Sequence, residues 1–222
     1  MALIDEREKI FSDIPIDFHK EDILKVPPFS NWIKAGASKA KFEELLEKME
    51  PEVGSYLSPK GMLRIIRRNE ADLSPRAPPE LLEADLLAIG VATIGEGAER
   101  HQRRGNLFEG LVTDALENVA LLRAERQLVE FVRGQAEAGG LNLSRVIPPG
   151  SGRTSWSIEN QRLVFQHLDA GKIGVRLSPS YSMKPQKSVS FVMGLGRNIE
   201  PAKNLYSCEG CRRLDCSYRT TQ

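Results

Sequence analysis

Three cysteines, Cys208, Cys211 and Cys216, are all that the chain contains, and they fall within the single stretch CEGCRRLDCSYR. The spacing C-x2-C-x4-C places three soft thiolate ligands close in sequence, enough for three corners of a [4Fe–4S] cluster. A structural zinc is the alternative and ordinarily takes four protein ligands. For either metal the remaining position falls to a histidine, a carboxylate, an exogenous ligand or a partner's residue. Arg212, Arg213 and Arg219 lie beside the thiols, where positive charge lowers thiol pKa and offsets a cluster's negative charge.

Other residues that could do chemistry are sparse. His19, His101 and His167 are the only histidines, and none lies in an HExxH motif or beside a serine-nucleophile signature. The segment DFHKED around His19 has the start of a cobalt-ligating D-x-H-x-x-G motif, but Asp22 stands where the glycine belongs, so His19 reads as a surface residue. GLGRN opens no glycine-rich turn into a helix and is not a dinucleotide fingerprint. Two bends carry more. Arg145 precedes PPGSG (148–152), where a guanidinium beside turn-forming backbone can grip a carboxylate in two places. YSMKPQKSVS then sets Met183 and Pro185 in a turn before a strand opening with the hydroxyls of Ser188 and Ser190. A helix and a strand between the bends could bring both around one ligand.

The elements that would position these groups follow from pattern. SKAKFEELLEKM reads as an amphipathic helix capped by Ser38, with Phe42, Leu45, Leu46 and Met49 at helical spacing. SPKGMLRIIRRN is predicted as a second helix, with Pro59 at its first position, Met62, Ile65 and Ile66 on one side, and Arg64, Arg67 and Arg68 on a solvated opposite face. ADLLAIGVATIG predicts a buried strand. The proline-free stretch from Asn106 to Ala138 predicts one long helix, with a break near RAER, stopped by Gly139 and Gly140. SIENQRLVFQHLDAG predicts a helix capped by Ser157 that buries Ile158, Val164, Phe165 and Leu168, and KIGVRL and SVSFVMGLG predict strands. KVPPFSNW reads as an extended connector. The class is α+β: a mostly antiparallel, twisted sheet flanked by helices.

Residues 148–196 resemble the reactivation (activation) domain of cobalamin-dependent methionine synthase, matched by Pro149-Gly150, the helix through Phe165 and Leu168, the Lys172–Leu177 strand, and Met183, Pro185, Ser188, Val189 and Ser190 in order. The cysteine tail makes the chain similar to stand-alone members of that group. The resemblance implies an accessory protein for reductive reactivation of a separate corrinoid methyltransferase. It implies binding of S-adenosylmethionine through Arg145, Pro149, Gly150, Ser151 and Gly152, with Met183, Pro185, Ser188 and Ser190 lining the same cradle. The cobalamin would come from the partner protein, and an iron–sulfur cluster would relay the electron. The alternative is a non-catalytic corrinoid-protein binding partner with a zinc tail. In the family's pattern a tyrosine follows the Pro-Gly pair; here Ser151 stands there.

With 31 Lys plus Arg against 30 Asp plus Glu among 222 residues, no net field favours nucleic acid. MALIDEREKIFSDIP lacks a signal-peptide apolar core and no run reaches the ~20 apolar residues of a bilayer span. The expected location is the cytoplasm, without membrane association, where clustered thiols point to metal or redox chemistry before a disulfide. The expected organisation is an extension at 1–37, a reactivation-like domain at 38–200 and a metal-binding tail at 201–222. The oligomeric state is not encoded in any pattern found.

Overall fold

A computed structural model describes residues 4–25, 29–34, 36, 38–74, 76–101, 107–151 and 156–206. In chain order the elements are β1 (Lys9–Phe11), α1 (Lys20–Lys25), α2 (Phe29–Lys34), α3 (Lys39–Tyr56), β2 (Lys60–Arg67), α4 (Pro79–Leu82), β3 (Leu86–Thr93), α5 (Gly97–Arg100), α6 (Leu107–Gly139), β4 (Asn142–Leu143), α7 (Gln161–His167), β5 (Arg176–Leu177), β6 (Met183–Lys184) and β7 (Ser188–Gly196). Five strands form an antiparallel sheet in the order β1-β2-β3-β7-β4, and β5 and β6 form a separate two-stranded pair. The α+β class is therefore observed.

The sheet is covered on both faces. Leu63, Ile65, Ala88, Ala92, Phe191, Met193 and Leu195 point toward α6, against Ala124, Leu128 and Val132. Met62, Ile66, Ile89, Val91 and Val192 point the other way, against Leu81, Trp156, Leu163 and Val164. A third cluster joins Phe42, Leu46 and Val53 of α3 to Val112, Leu116 and Val119 of α6, with Ile23 and Phe29 of the first two helices. Apolar burial on this scale is the main favourable term of folding. Glycines let layers approach: a Cβ on Gly61 would sit 2.3 Å from a Leu128 methyl, and one on Gly90 2.3 Å from the Phe191 ring.

Several expected elements stand. Ser38 caps α3 through its side chain, which accepts from the Lys41 N–H, β3 and β7 are strands, and α6 is one long helix, though without the break expected near RAER. Others need correction. Residues 60–67 form strand β2, not a helix. It lies between β1 and β3 with both faces buried, so Met62 and Ile66 face one layer while Leu63 and Ile65 face the other. That two-faced apolar run mimics helical spacing. Phe29–Lys34 is a helix where a connector was expected. The helix expected from Ser157 is a short 3₁₀ turn (Ile158–Asn160) followed by α7; the Ser157 side chain makes no capping bond, Ile158 is 40% exposed and Phe165 only half-buried. KIGVRL gives only Arg176–Leu177 as strand, because Ala170–Ile173 closes a 3₁₀ turn ended by left-handed Gly174.

Candidate functional site

β7 organises the region of the two bends. Ile147 and Val192 exchange backbone hydrogen bonds of 3.0 Å in each direction. Past Ile147 the chain turns: the Ser151 N–H donates to the Pro148 carbonyl at 3.3 Å, and the Gly150 N–H to the Trp156 carbonyl at 2.9 Å. Gly150 has φ +77°, and a Cβ there would lie 2.5 Å from Ile158 Cδ1, so the bend requires glycine on both counts. On the antiparallel register, two residues past Ile147 is Pro149 and two before Val192 is Ser190. The first bend therefore leaves the sheet at the level of Ser190, near the start of β7, and the Met183–Pro185 segment leads directly into that start. Met183 packs on the same apolar cluster as Ile147 and Trp156.

The hydroxyls of this region are engaged. Ser190 is buried and its Oγ donates to Gln161 Oε1 of α7 at 2.9 Å. Ser188 Oγ donates to the Pro185 carbonyl at 2.7 Å and lies 2.9 Å from Thr93 Oγ1. These bonds tie α7, β3 and the second bend to β7. Pro149 is buried and Gly150 exposed, and neither carbonyl has a hydrogen-bond partner among the described residues. The bend thus offers acceptors, suited to a ligand's ammonium or hydroxyl groups, rather than donors.

Arg145 sits elsewhere on the strand. Leu143 pairs with Leu195 and Ile147 with Val192, so four residue steps oppose three, and the extra residue is a β-bulge. From it Arg145 Nε donates to Glu80 Oε1 of α4 at 3.1 Å, both side chains largely shielded. The short α4 backs directly onto β7, where a Cβ on Gly194 would lie 2.3 Å from the Glu80 carbonyl oxygen. The fold accordingly gathers Pro149, Gly150, Met183, Pro185, Ser188 and Ser190 at one end of β7, with half-buried Ser151 following Gly150. Arg145 is held along the strand by an acid. Gly152 and the tail cysteines Cys208, Cys211 and Cys216 lie outside the described residues, among which no group of three or more potential metal ligands occurs.

Sequence reasoning missed the groups that hold the second bend. Lys187 Nζ reaches Asp114 Oδ1 at 2.8 Å and Asn118 Oδ1 at 2.7 Å, with Glu117 Oε2 at 3.6 Å. The Tyr56 hydroxyl donates to Glu117 Oε1 at 3.0 Å, and His101 stacks on Tyr56 while its Nε2 lies 3.1 Å from Glu52. The one signal in the sequence is Glu117 on the apolar side of a helix, since Lys187 and its partners are about seventy residues apart in the chain.

The architecture is similar to a solved structure described as "Crystal Structure of the MetH Reactivation Domain bound to AdoHcy", with a TM-score of 0.55 and 14% sequence identity, over 88% of this chain and 80% of that one. The chain has the fold of the MetH reactivation domain. At that identity the likeness is one of fold. No protein-family model and no curated protein matches the sequence. No helix among the described residues is long and apolar enough to cross a membrane.

Proposed function

We propose that this chain is an accessory reactivation protein for a separate corrinoid-carrying methyltransferase in the cytoplasm and that it binds S-adenosylmethionine at the start of β7. The observation that carries the reading is the convergence of the Pro149–Gly150 and Met183–Pro185 bends on one end of one strand, within a fold similar to that of a reactivation domain bound to AdoHcy.

The open carbonyls of Pro149 and Gly150 fit donors such as an amino group or sugar hydroxyls, and Ser151 and Gly152 extend the bend. Met183 gives a polarizable apolar wall, and Pro185, Ser188 and Ser190 fix the geometry of the facing segment. S-adenosylmethionine would supply the methyl group, and the partner's corrinoid would receive it with an electron. This chain's residues bind and orient; their contribution is proximity. Cys208, Cys211 and Cys216 would ligate a [4Fe–4S] cluster for that electron, or alternatively zinc.

Calorimetric titration with S-adenosylmethionine tests the site, with heat expected from the wild type and a weaker isotherm from Met183→Ala. Absence of heat in the wild type overturns ligand binding. Anaerobic purification followed by visible spectroscopy tests the tail: a broad absorption bleached by dithionite supports the cluster, and a colourless protein with stoichiometric zinc refutes it. The second reading, a corrinoid-protein binding partner without a methyl donor, is favoured by one observation, the Glu80 carboxylate that already occupies Arg145. The wild-type titration separates the two, since only the first reading gives heat with S-adenosylmethionine, and Arg145→Ala then tells whether Arg145 belongs to that site or serves only the Glu80 pair.

A further inference from the structure

At the opposite end of the sheet from the bends lies an open surface cavity of about 480 Å³ lined by Glu6, Arg67, Arg68, Asn69, Ala84, Asp85 and Leu86. Its floor is where β2 ends and β3 begins: Arg67 pairs with Leu86 in the register, and the Arg68 N–H donates to the Asp85 carbonyl at 3.1 Å. β3 spans eight residues, so this cavity stands roughly 25 Å from the start of β7. Its size falls in the range of small-molecule sites, roughly 300–1,000 Å³.

The charges lining it are of both signs, and they are unevenly used. The Arg68 side chain makes no hydrogen bond or ion pair among the described residues, although its Nε is buried from solvent. A ligand in the cavity would therefore meet the terminal guanidinium nitrogens of Arg68, which have no partner among the described residues, and not its Nε. Arg67 is exposed and its Nε is 3.9 Å from Glu6 Oε1, a loose pair. Asp85 accepts the Arg197 N–H on Oδ2 at 3.2 Å, which leaves Oδ1 for another donor. A bare polyanion would meet the Glu6 and Asp85 carboxylates, and a bare cation would meet two arginines. A ligand carrying a carboxylate and an ammonium a few ångströms apart satisfies both.

We propose that this cavity binds the zwitterionic head of a free α-amino acid, its carboxylate on Arg68, with Arg67 beside it, and its ammonium on Asp85 and Glu6. The pairing uses the planar guanidinium as a carboxylate fork. The site is independent of the methyl-donor reading above.

The test is calorimetry on the full chain with glycine, L-alanine and L-methionine, and in parallel with acetate, methylammonium and inorganic phosphate. At least one amino acid should bind, at least tenfold tighter than acetate or methylammonium. Arg68→Gln and Asp85→Asn should each weaken it at least tenfold, with folding of both variants checked by circular dichroism. Met183→Ala, at the other end of the sheet, should leave it unchanged, which keeps this site's outcome separate from that of the bends. Silence from all three amino acids overturns the proposal, as does acetate or phosphate binding as tightly as the amino acids, which would mark a simple anion site. Because that comparison is made on the wild type, a variant that fails to fold does not rescue or sink it.

Discussion

Replacing Lys187 by methionine keeps the length of the side chain and removes its charge. In the folded protein that ammonium is mostly shielded and faces Asp114, Asn118 and Glu117, the last being a carboxylate with only 3% of its surface exposed. Its loss takes this positive charge away from the buried Glu117 carboxylate, which also accepts from the Tyr56 hydroxyl. Breaking a buried pair from one side typically costs about 3–5 kcal/mol, and the partial exposure of Asp114 places this case at the lower end, about 3 kcal/mol. For a domain of this length each kcal/mol shifts Tm by about 2–4 °C, so a fall of about 6–12 °C is expected. Removing the buried negative charge as well, in Lys187→Met with Glu117→Gln, should recover about half of the loss, because the amide keeps a hydrogen-bonding group for the Tyr56 hydroxyl. Urea unfolding followed by circular dichroism on the wild type, both singles and the double closes the cycle. A single-variant loss under 1 kcal/mol, or a double variant no better than Lys187→Met, would refute the reasoning that this pair pins the second bend to α6.

Gly150→Ala places a side chain in left-handed backbone and against Ile158, and should cost about 2–4 kcal/mol in chemical unfolding; a loss under 1 kcal/mol contradicts the bend geometry. Gly194→Ala drives a methyl into the Glu80 carbonyl, a backbone atom, and should lower stability by about 3 kcal/mol or more by thermal melt while loosening the Arg145–Glu80 pair. Burial first, and the charge of Arg64 second, hold the His167 imidazole below its ordinary pKa of 6.5. The folded state therefore favours the neutral ring: the contribution is complete above the unfolded value and is lost as pH falls through the folded one. His167→Gln should reduce the decline of Tm on acidification below pH 6.5, and an unchanged slope would remove His167 from the account. Glu8 is held below the ordinary carboxylate range chiefly by its hydrogen bond from Lys172, so Glu8→Gln should flatten the acid limb below about pH 4.5, modestly since the pair is partly exposed.

Where one physical cause dominated, the pattern of residues was legible. β7 alternates cleanly, so its bounds, Ser188–Gly196, came straight from the residues, and α6 announced itself by the absence of proline and an apolar stripe over many turns. β2 misled because an interior strand between two layers has no polar face, so Met62, Ile65 and Ile66 fall at helical intervals by accident. The short helices near the N-terminus are held by tertiary packing of Ile23 and Phe29 rather than by propensity, and such support is invisible locally. At the site, the glycine and proline bends could be read because those residues dictate backbone. The partners of Arg145, Ser190 and Lys187 could not, since Glu80, Gln161, Asp114 and Asn118 are brought to them only by the folded topology.

The five-stranded sheet ends on one side in β1, three residues long, and on the other in β4, two residues long. A longer bare margin would invite a second molecule to extend the ladder, and chains so joined polymerise. Here the bordering strands are too brief to template such growth, and β1 carries Lys9, whose ammonium sits 4.0 Å from the Phe131 ring centre. Neither β1 nor β4 therefore gives a visiting protein at the bends around β7, or a second copy of the chain, a long border strand to zip onto.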